Sequence, residues 1–381
     1  MKKIFWLVGD KSGDLHASKV MQQLNQDISP IQHIGIGGPL MQNQGLELLF
    51  PYEKFLIMGF AEVVKHLPFI LKVEYSLKKF LAQNRPDLVV LVDYPGLNLR
   101  IARMSFKLRL KVFYFICPQF WAWKHFRVLK LKKYCDYVAC ILPFEKKMLD
   151  NYLIPSSYVG HPVKEEIVFQ LDKNGFAEKY QLAIKQKWIG FFPGSRANEV
   201  QRLLPIYLEV IKKLKNIKPN YQFLISKSNS LPKGMFDDLL LKNQLKDMKI
   251  IDENNYEMIK YSDFLIVKSG TSTIETSCIG TPFVIVYKAN CLSYILAKRI
   301  IKVKYIGMPN IIFDKLIVPE LIQNDVNRDK IIETILFYLD NEDEYQKMSS
   351  HFKDLHDILG TLSASKTTAD LINNLIHGIA I

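Results

Sequence analysis

The stretch from Asp263 to Tyr287, DFLIVKSGTSTIETSCIGTPFVIVY, constrains the fold more than any other part of the chain. Its apolar run, Phe264 to Val267, breaks at Lys268-Ser269-Gly270-Thr271-Ser272. A helical segment follows, and a second β-type run, Phe283 to Tyr287, comes after Gly280-Thr281-Pro282. Strand, small polar turn, helix, tight turn and strand together read as one unit of a parallel α/β sheet. The turn places Ser269, Gly270, Thr271 and Ser272 at a helix N-terminus, where free backbone N–H groups and the positive end of the helix dipole would hold a phosphate. Glu275, four residues beyond Thr271, can accept hydrogen bonds from both hydroxyls of a ribose, so loop and carboxylate together suggest a nucleotide. An ordinary Ser/Thr cap, with Glu275 favouring the first turn, accounts for the same residues and is worth about 1 kcal/mol.

With 381 residues the chain has room for two domains, each burying its own core, and 49% hydrophobic against 23% charged residues is a globular balance. The opening MKKIFWLV begins like an export signal, but its apolar run ends at Gly9-Asp10, so no export is expected. Nowhere do about eighteen apolar residues run together, which predicts no transmembrane helix. The five cysteines, Cys117, Cys135, Cys140, Cys278 and Cys291, lack CxxC spacing and suit buried thiols in a reducing cytosol. Metal ligation is not expected. The net charge of +13 is uneven: Arg100 to Lys133 holds ten Lys/Arg and no acid. Such a block calls for an anionic partner, nucleic acid or membrane surface, and charge alone does not choose.

In chain order, Ile4 to Val8 reads as a buried strand, followed by Gly9-Asp10-Lys11-Ser12-Gly13-Asp14 and a helix to about Gln26. This opens a Rossmann-like unit without the GxGxxG fingerprint, and Asp10 and Asp14 would repel a pyrophosphate, so the loop meets hydroxyls or a sugar. A turn with Asp14 as helix cap competes with that reading. His33 to Gly38 is a short strand. Ile57 to Phe60 leads into an amphipathic segment, Ala61 to Gln83, with Val63, Val64, Leu67, Ile70 and Leu71 at helical spacing and Phe60 and Phe69 nearby. DLVVLV, Asp87 to Val92, is a strand buried on both faces. Asp93 stands at its carboxyl end, where parallel sheets keep their ligand crevice, and Pro95-Gly96 reads as an interruption of any immediate helix. Lys111 to Ile116 is the next strand. Its continuation, Cys117 to Lys124, supplies Gln119, Trp121 and Trp123 as walls of a pocket for a sugar ring, or else as core. Tyr137 to Leu142 is a further strand, and His161 is an acid–base candidate or a hinge histidine.

A change of composition puts the domain boundary near residues 163 to 186. Trp188 to Phe192 begins a second α/β set, and Pro193-Gly194-Ser195-Arg196 leads into the helix Asn198 to Lys215 with Glu199 in its first turn. Arg196 beside a helix N-terminus is a second anion site, and the two loops together suggest a diphosphate clamp. Strands at Phe223 to Ser226 and Met248 to Ile251 complete the alternation. Ala297 to Lys304 is a basic amphipathic segment, Gly307 to Asn310 makes a turn, and three mainly helical segments follow.

GDKSGD at Gly9, VDYPGLN at Val92, PQFWAW at Pro118, LPFE at Leu142, VGHP at Val159, PGSR with Glu199, SGTSTIE at Ser269 and MPN at Met308 occur in the order found in lipid-A-disaccharide synthases. The chain resembles that family over nearly its whole length. The resemblance implies an α/β GT-B fold, two Rossmann-like domains facing across a cleft with the last helix returning to the first. The N-terminal, acceptor-side domain would span 1–165 plus roughly 360–381, and the UDP-sugar domain 166–359.

It further implies inverting transfer from UDP-2,3-diacylglucosamine to the 6-hydroxyl of 2,3-diacylglucosamine 1-phosphate, giving a β-1,6 disaccharide and UDP, with no cofactor. Gly194, Ser195, Arg196, Ser269, Gly270, Thr271 and Glu275 match the UDP site, Asn310 a position near the donor, and Asp93 the general base. Asp10 and Asp14 join the catalytic candidates, and Gln119 and Trp121 the substrate contacts. Asp10 replaces the family's usual glutamate, and Gly96 stands where a second acid is often found. Because both substrates would be acylated, the expected location is cytoplasmic and peripheral on the inner membrane, with Arg100–Lys133 and Lys298–Lys304 meeting anionic lipid. No nucleic-acid partner is expected, and a homodimer is left open. The alternatives are another UDP-sugar enzyme on the same scaffold, a lipid-linked N-acetylglucosaminyltransferase or a UDP-sugar 2-epimerase, and a non-enzymatic nucleic-acid-binding protein.

Overall fold

Leu88–Val92 is flanked on both sides by paired strands and is fully buried, which is why it is apolar at every position. In the computed structural model, which describes residues 1–26, 30–55, 60–232, 234–242, 248–290, 294 and 303–379, this strand is central to the first of two units. That unit comprises Met1–Pro162 with Leu359–Ile381, and the second Val163–Ile358.

The first unit runs β1 (Lys2–Leu7), α1 (Lys11–Leu24), β2 (Ile31–Gly37), α2 (Pro39–Gln42), β3 (Leu46–Pro51), α3 (Phe60–Asn84), β4 (Leu88–Val92), α4 (Pro95–Lys107), β5 (Val112–Phe115), α5 (Phe126–Tyr134), β6 (Tyr137–Cys140), α6 (Pro143–Asn151) and β7 (Ser156–Tyr158). Its strands form one parallel sheet in the order β3-β2-β1-β4-β5-β6-β7. Trp6, Phe113, Tyr114 and Phe115 fill the core. The Trp6 indole N–H donates to His33 Nδ1 at 2.9 Å. That fixes the neutral tautomer with the proton on Nε2, which donates to Asn25 Oδ1 at 3.1 Å.

The second unit runs α7 (Val163–Glu166), α8 (Lys173–Lys179), β8 (Lys187–Phe192), α9 (Ala197–Ile217), β9 (Tyr221–Ser226), α10 (Met235–Lys242), β10 (Lys249–Ile251), α11 (Asn255–Tyr261), β11 (Phe264–Lys268), α12 (Thr271–Ile279), β12 (Phe283–Tyr287), α13 (Met308–Phe313), β13 (Glu320–Ile322), α14 (Arg328–Asp340) and α15 (Glu342–Leu359). Its parallel sheet has the order β10-β9-β8-β11-β12-β13. Alternation along the strands feeds two cores. Ile266 and Val284 pack with Tyr207 and Leu208 of α9. Leu265, Phe283 and Ile285 pack with Met348 and Phe352 of α15. The last helix, α16 (Ala364–His377), lies against α1 and puts Ala369, Leu371, Ile372 and Ile376 into the core of the first unit.

Pro95 does not interrupt a helix; it starts α4, because a ring-locked φ suits the first helical position and no N–H is lost there. Likewise Met308-Pro309-Asn310 opens α13 rather than only turning the chain. Ile57 to Gly59, the side chains of Phe60 to Ile70, Cys291 and Ala297 to Lys302 lie outside the described residues. Cys117, Cys135, Cys140 and Cys278 are buried free thiols.

Candidate active site

In each sheet the chain reverses its direction of travel once, between β1 and β4 and between β8 and β11. The carboxyl ends of those adjacent strands are the ligand positions of an open parallel sheet. Every acidic or anion-binding loop singled out in the sequence follows one of these four strands.

Gly194, after β8, has φ +105, and a Cβ there would lie 2.5 Å from Glu199 Oε2, so glycine is required both by backbone and by space. Glu199 accepts from the Arg196 backbone N–H at 3.4 Å, closing the first turn of α9, and ion-pairs with Lys268 Nζ at 2.8 Å. The Arg196 guanidinium lies 3.6 Å from the same carboxylate, yet its side chain is 68% exposed and open to a ligand. Ser195 is exposed, and its carbonyl accepts from Ser230 Oγ at 3.0 Å.

After β11, Ser269 Oγ donates to the Ile306 carbonyl at 2.9 Å, and Gly270 and Thr271 sit exposed at the start of α12. The structure therefore brings Gly194, Ser195 and Arg196 beside Ser269, Gly270 and Thr271, with Lys268 and Glu199 as the bridge. The sequence around Lys268 gives it no role, because its partner is remote along the chain.

Glu275 points from α12 into a cavity of about 350 Å³ that Glu166, Gln170, Asn254, Asn255 and Tyr256 also line. Burial, and then the charge of Glu166, push its carboxyl up to about 7, although Ser272 and Tyr256 hydrogen-bond to it. Asn310, expected near a donor, is fully buried, and its amide is saturated within the protein. Nδ2 donates to the Val318 carbonyl and Glu320 Oε1, and Oδ1 accepts from the Ile317 and Val318 N–H groups, all at 2.8–2.9 Å. It braces α13, whose first N–H donates to Thr273 Oγ1 at 3.3 Å, and so supports the loop indirectly.

In the first unit, Asp93 and Tyr94 both have left-handed backbone, with φ 43 and 42. The Asp93 carbonyl accepts from the Tyr114 hydroxyl at 2.6 Å and from Asn98 Nδ2 at 2.7 Å, which holds the turn. Tyr94 lays its ring across Gly9; a Cβ at Gly9 would stand 2.0 Å from the ring. Burial first, then the charge of Asp10, raise the Asp93 carboxyl to about 6, with the Tyr94 N–H, His16 and Arg127 opposing. Asp10 and Asp93 thus come together.

Asp14 lies one turn further along α1. It is 1% exposed and accepts from the N–H groups of Gly38, Leu40 and Met41 at 2.8–3.2 Å, capping α2. The cap of α1 is Asp10, which accepts from Gly13 N at 2.8 Å. A carboxylate that accepts from three backbone donors has a structural task in holding the start of α2.

Gln119 is exposed. Trp121 is half-buried; its indole N–H donates to Glu145 Oε1 at 2.9 Å, and its ring meets Phe144 edge-on at 5.1 Å. His161 is buried next to Gly160, where the segment around Leu362 comes closest. No helix among the described residues is long and apolar enough to cross a membrane.

Solved structures share this architecture. The S. aureus MnaA–UDP structure matches with a TM-score of 0.65 at 12% identity, covering 99% of this chain and 97% of that one. The UDP-GlcNAc 2-epimerase from Neisseria meningitidis bound to UDP-GlcNAc matches at 0.62 and 13%, covering 99% and 100%. The glycotransferase of kitacinnamycin matches at 0.64 and 12%, covering 98% of each chain. At such identities the likeness bears on the fold alone, which is GT-B. Sequence relatives bear on more. A lipid-A-disaccharide synthase of Nitrosococcus oceani is 33% identical over 98% of this chain and 96% of its own, and one of Geobacter sulfurreducens is 32% identical over 98% and 97%. The family described as lipid-A-disaccharide synthetase matches residues 4–371. With matches of that length and identity, this chain belongs to the lipid-A-disaccharide synthase family of glycosyltransferases.

Proposed function

We propose that the chain joins UDP-2,3-diacylglucosamine to 2,3-diacylglucosamine 1-phosphate, with the residues above in stated roles. In the second unit, Arg196 and the N–H groups at Ser269–Thr271 hold the diphosphate, and Glu275 holds the ribose hydroxyls. In the first unit, Asp93 takes the proton of the acceptor 6-hydroxyl as its oxygen attacks the anomeric carbon. The bond from that carbon to the diphosphate breaks with inversion, and UDP leaves with the electron pair, its developing charge stabilised by Arg196 and the loop donors. The observation that carries this reading is the raised carboxyl of Asp93 at the carboxyl end of β4, beside Asp10. A base near pH 6 is ionised at neutral pH and still accepts a proton readily.

Because both substrates are acylated, the reading includes peripheral association with an anionic bilayer on the cytoplasmic face of the inner membrane. The test is turnover of the two substrates, following UDP and disaccharide together, for the wild type and Asp93→Asn. Coupled products, with the variant slower by about 10²-fold or more, support the assignment. UDP without disaccharide points to a different acceptor. A fully active variant moves the base elsewhere.

A further inference from the structure

The face made by α4 and α5 groups exposed apolar side chains with cations. On α5, Val128 and Leu131 turn inward, while Phe126 and Leu129, one turn apart and so on one side of the helix, are 51% and 57% exposed. Trp123, just before the helix, is 36% exposed. Phe106 of α4 is 51% exposed, and its ring lies 5.6 Å from that of Tyr134 at the end of α5, so the apolar groups of the two helices are continuous. Cations are set among them. Lys124 and the buried Arg127 each stand 4.4 Å from the Trp123 ring centre, and Lys130 stands 5.1 Å from that of Phe126. No acid occurs between Arg100 and Lys133. Single exposed apolar side chains are ordinary; four large ones grouped among cations are not.

We propose that this α4–α5 face is the docking surface for an anionic lipid bilayer, with Trp123, Phe126 and Leu129 entering the boundary between headgroups and acyl chains and Lys124, Lys130 and Lys133 meeting lipid phosphates. The inference rests on the proposed reaction only in that acylated substrates require such a surface. Charge complementarity selects the occupant: two copies of this face would bring cation against cation, whereas anionic lipid neutralises it. Amphipathic side chains serve the same choice, since Trp settles at the headgroup level and lysine stems run along apolar surface while their ammonium groups stay wet. A nucleic-acid platform instead needs open aromatic faces in a groove, and here cations stand over the Trp123 and Phe126 rings. The face also adjoins the segment that follows β5, which carries Gln119 and Trp121, so docking would hold the acceptor-side loops close to the lipid.

The test is co-sedimentation with phosphatidylglycerol-containing and pure phosphatidylcholine vesicles, at low and high salt, for three proteins: wild type, Phe126→Ser/Leu129→Ser and Lys130→Glu/Lys133→Glu. All altered residues are exposed, and turnover with detergent-dispersed substrates checks that each protein is intact. The wild type is expected to bind the anionic vesicles. The serine variant is expected to bind at least about tenfold more weakly, keeping only salt-sensitive attachment. The glutamate variant is expected to lose about fivefold per lysine or more. Wild-type protein that ignores anionic vesicles overturns the proposal, as do variants that bind like wild type, or variants that change only self-association or binding to random single-stranded DNA. Micellar turnover with unaltered vesicle binding by the variants would refute the surface and leave the reaction standing. Vesicle binding that responds as expected, without turnover, would do the reverse.

Discussion

Lys268 Nζ lies 2.8 Å from Glu199 Oε1, tying the last residue of β11 to the first turn of α9. Both side chains are largely covered, at 18% and 16% exposure, so removing one partner leaves the other charge covered and unpaired. Since Glu199 also closes the turn at Arg196, both loops of the proposed diphosphate site depend on it. Glu199→Gln is therefore expected to weaken UDP binding about tenfold, with a loss of about 1 to 2 kcal/mol in folding stability. Titration calorimetry with UDP and denaturant unfolding measure the two effects separately.

Asp93 opposes stability in its charged form. Its folded pKa of about 6 lies above the ordinary aspartate value, so the favourable contribution of the protonated group is complete below about pH 4 and is lost as pH rises through 6. Asp93→Asn should thus be more stable than wild type at pH 7.5, by about 3 kcal/mol, while turning over far more slowly. Melting curves across pH 4 to 8 should show the difference opening up between those limits.

His33 acts with the opposite sign. Burial lowers its pKa to about 4, so the folded protein keeps it neutral while the unfolded chain binds a proton near pH 6.5. Stability from this site is present above about 6.5 and falls as pH drops towards 4, by roughly 3 kcal/mol in all. Acid denaturation of His33→Leu should have a shallower slope over that window, on top of a constant loss from the unpaired Trp6 indole.

The ribose contact proposed for Glu275 would tie donor binding to pH. A carboxyl raised to about 7 must ionise before it can accept from two ribose hydroxyls, so UDP affinity should fall as pH drops below 7. Glu275→Gln should bind UDP more weakly and without that dependence, which calorimetry at pH 6 and 8 would reveal.

Buried apolar runs, such as Leu88–Val92 and Phe264 to Val267, were legible because a parallel sheet covered on both faces demands unbroken apolar runs. The edge strands Leu46–Pro51, Ser156–Tyr158 and Glu320–Ile322 were not legible. Each pairs at or near a sheet edge, and none carries a long apolar signature. In the site, the loops were readable from local chemistry, but the duties of individual side chains were set by distant partners. Asp14 takes its donors from Gly38, Leu40 and Met41, Lys268 takes its partner from Glu199, and Trp121 takes its acceptor from Glu145. Nothing in the residues around Asp14 or Asn310 distinguishes a ligand contact from a brace, because the distinction lies in what the chain brings up from elsewhere.

The first unit takes in the segment after Leu359 as well as everything before Val163, and this has a bearing on synthesis. Tyr158 donates to the Leu359 carbonyl, and α16 supplies core side chains against α1, so a nascent chain lacks part of this hydrophobic core until residue 377 has cleared the ribosome. The second unit is continuous in sequence and can finish folding earlier, although its translation begins later. During that interval α1 has an uncovered apolar side, which marks it as the place where a chaperone would be most useful and where truncation of the tail would expose the protein to aggregation.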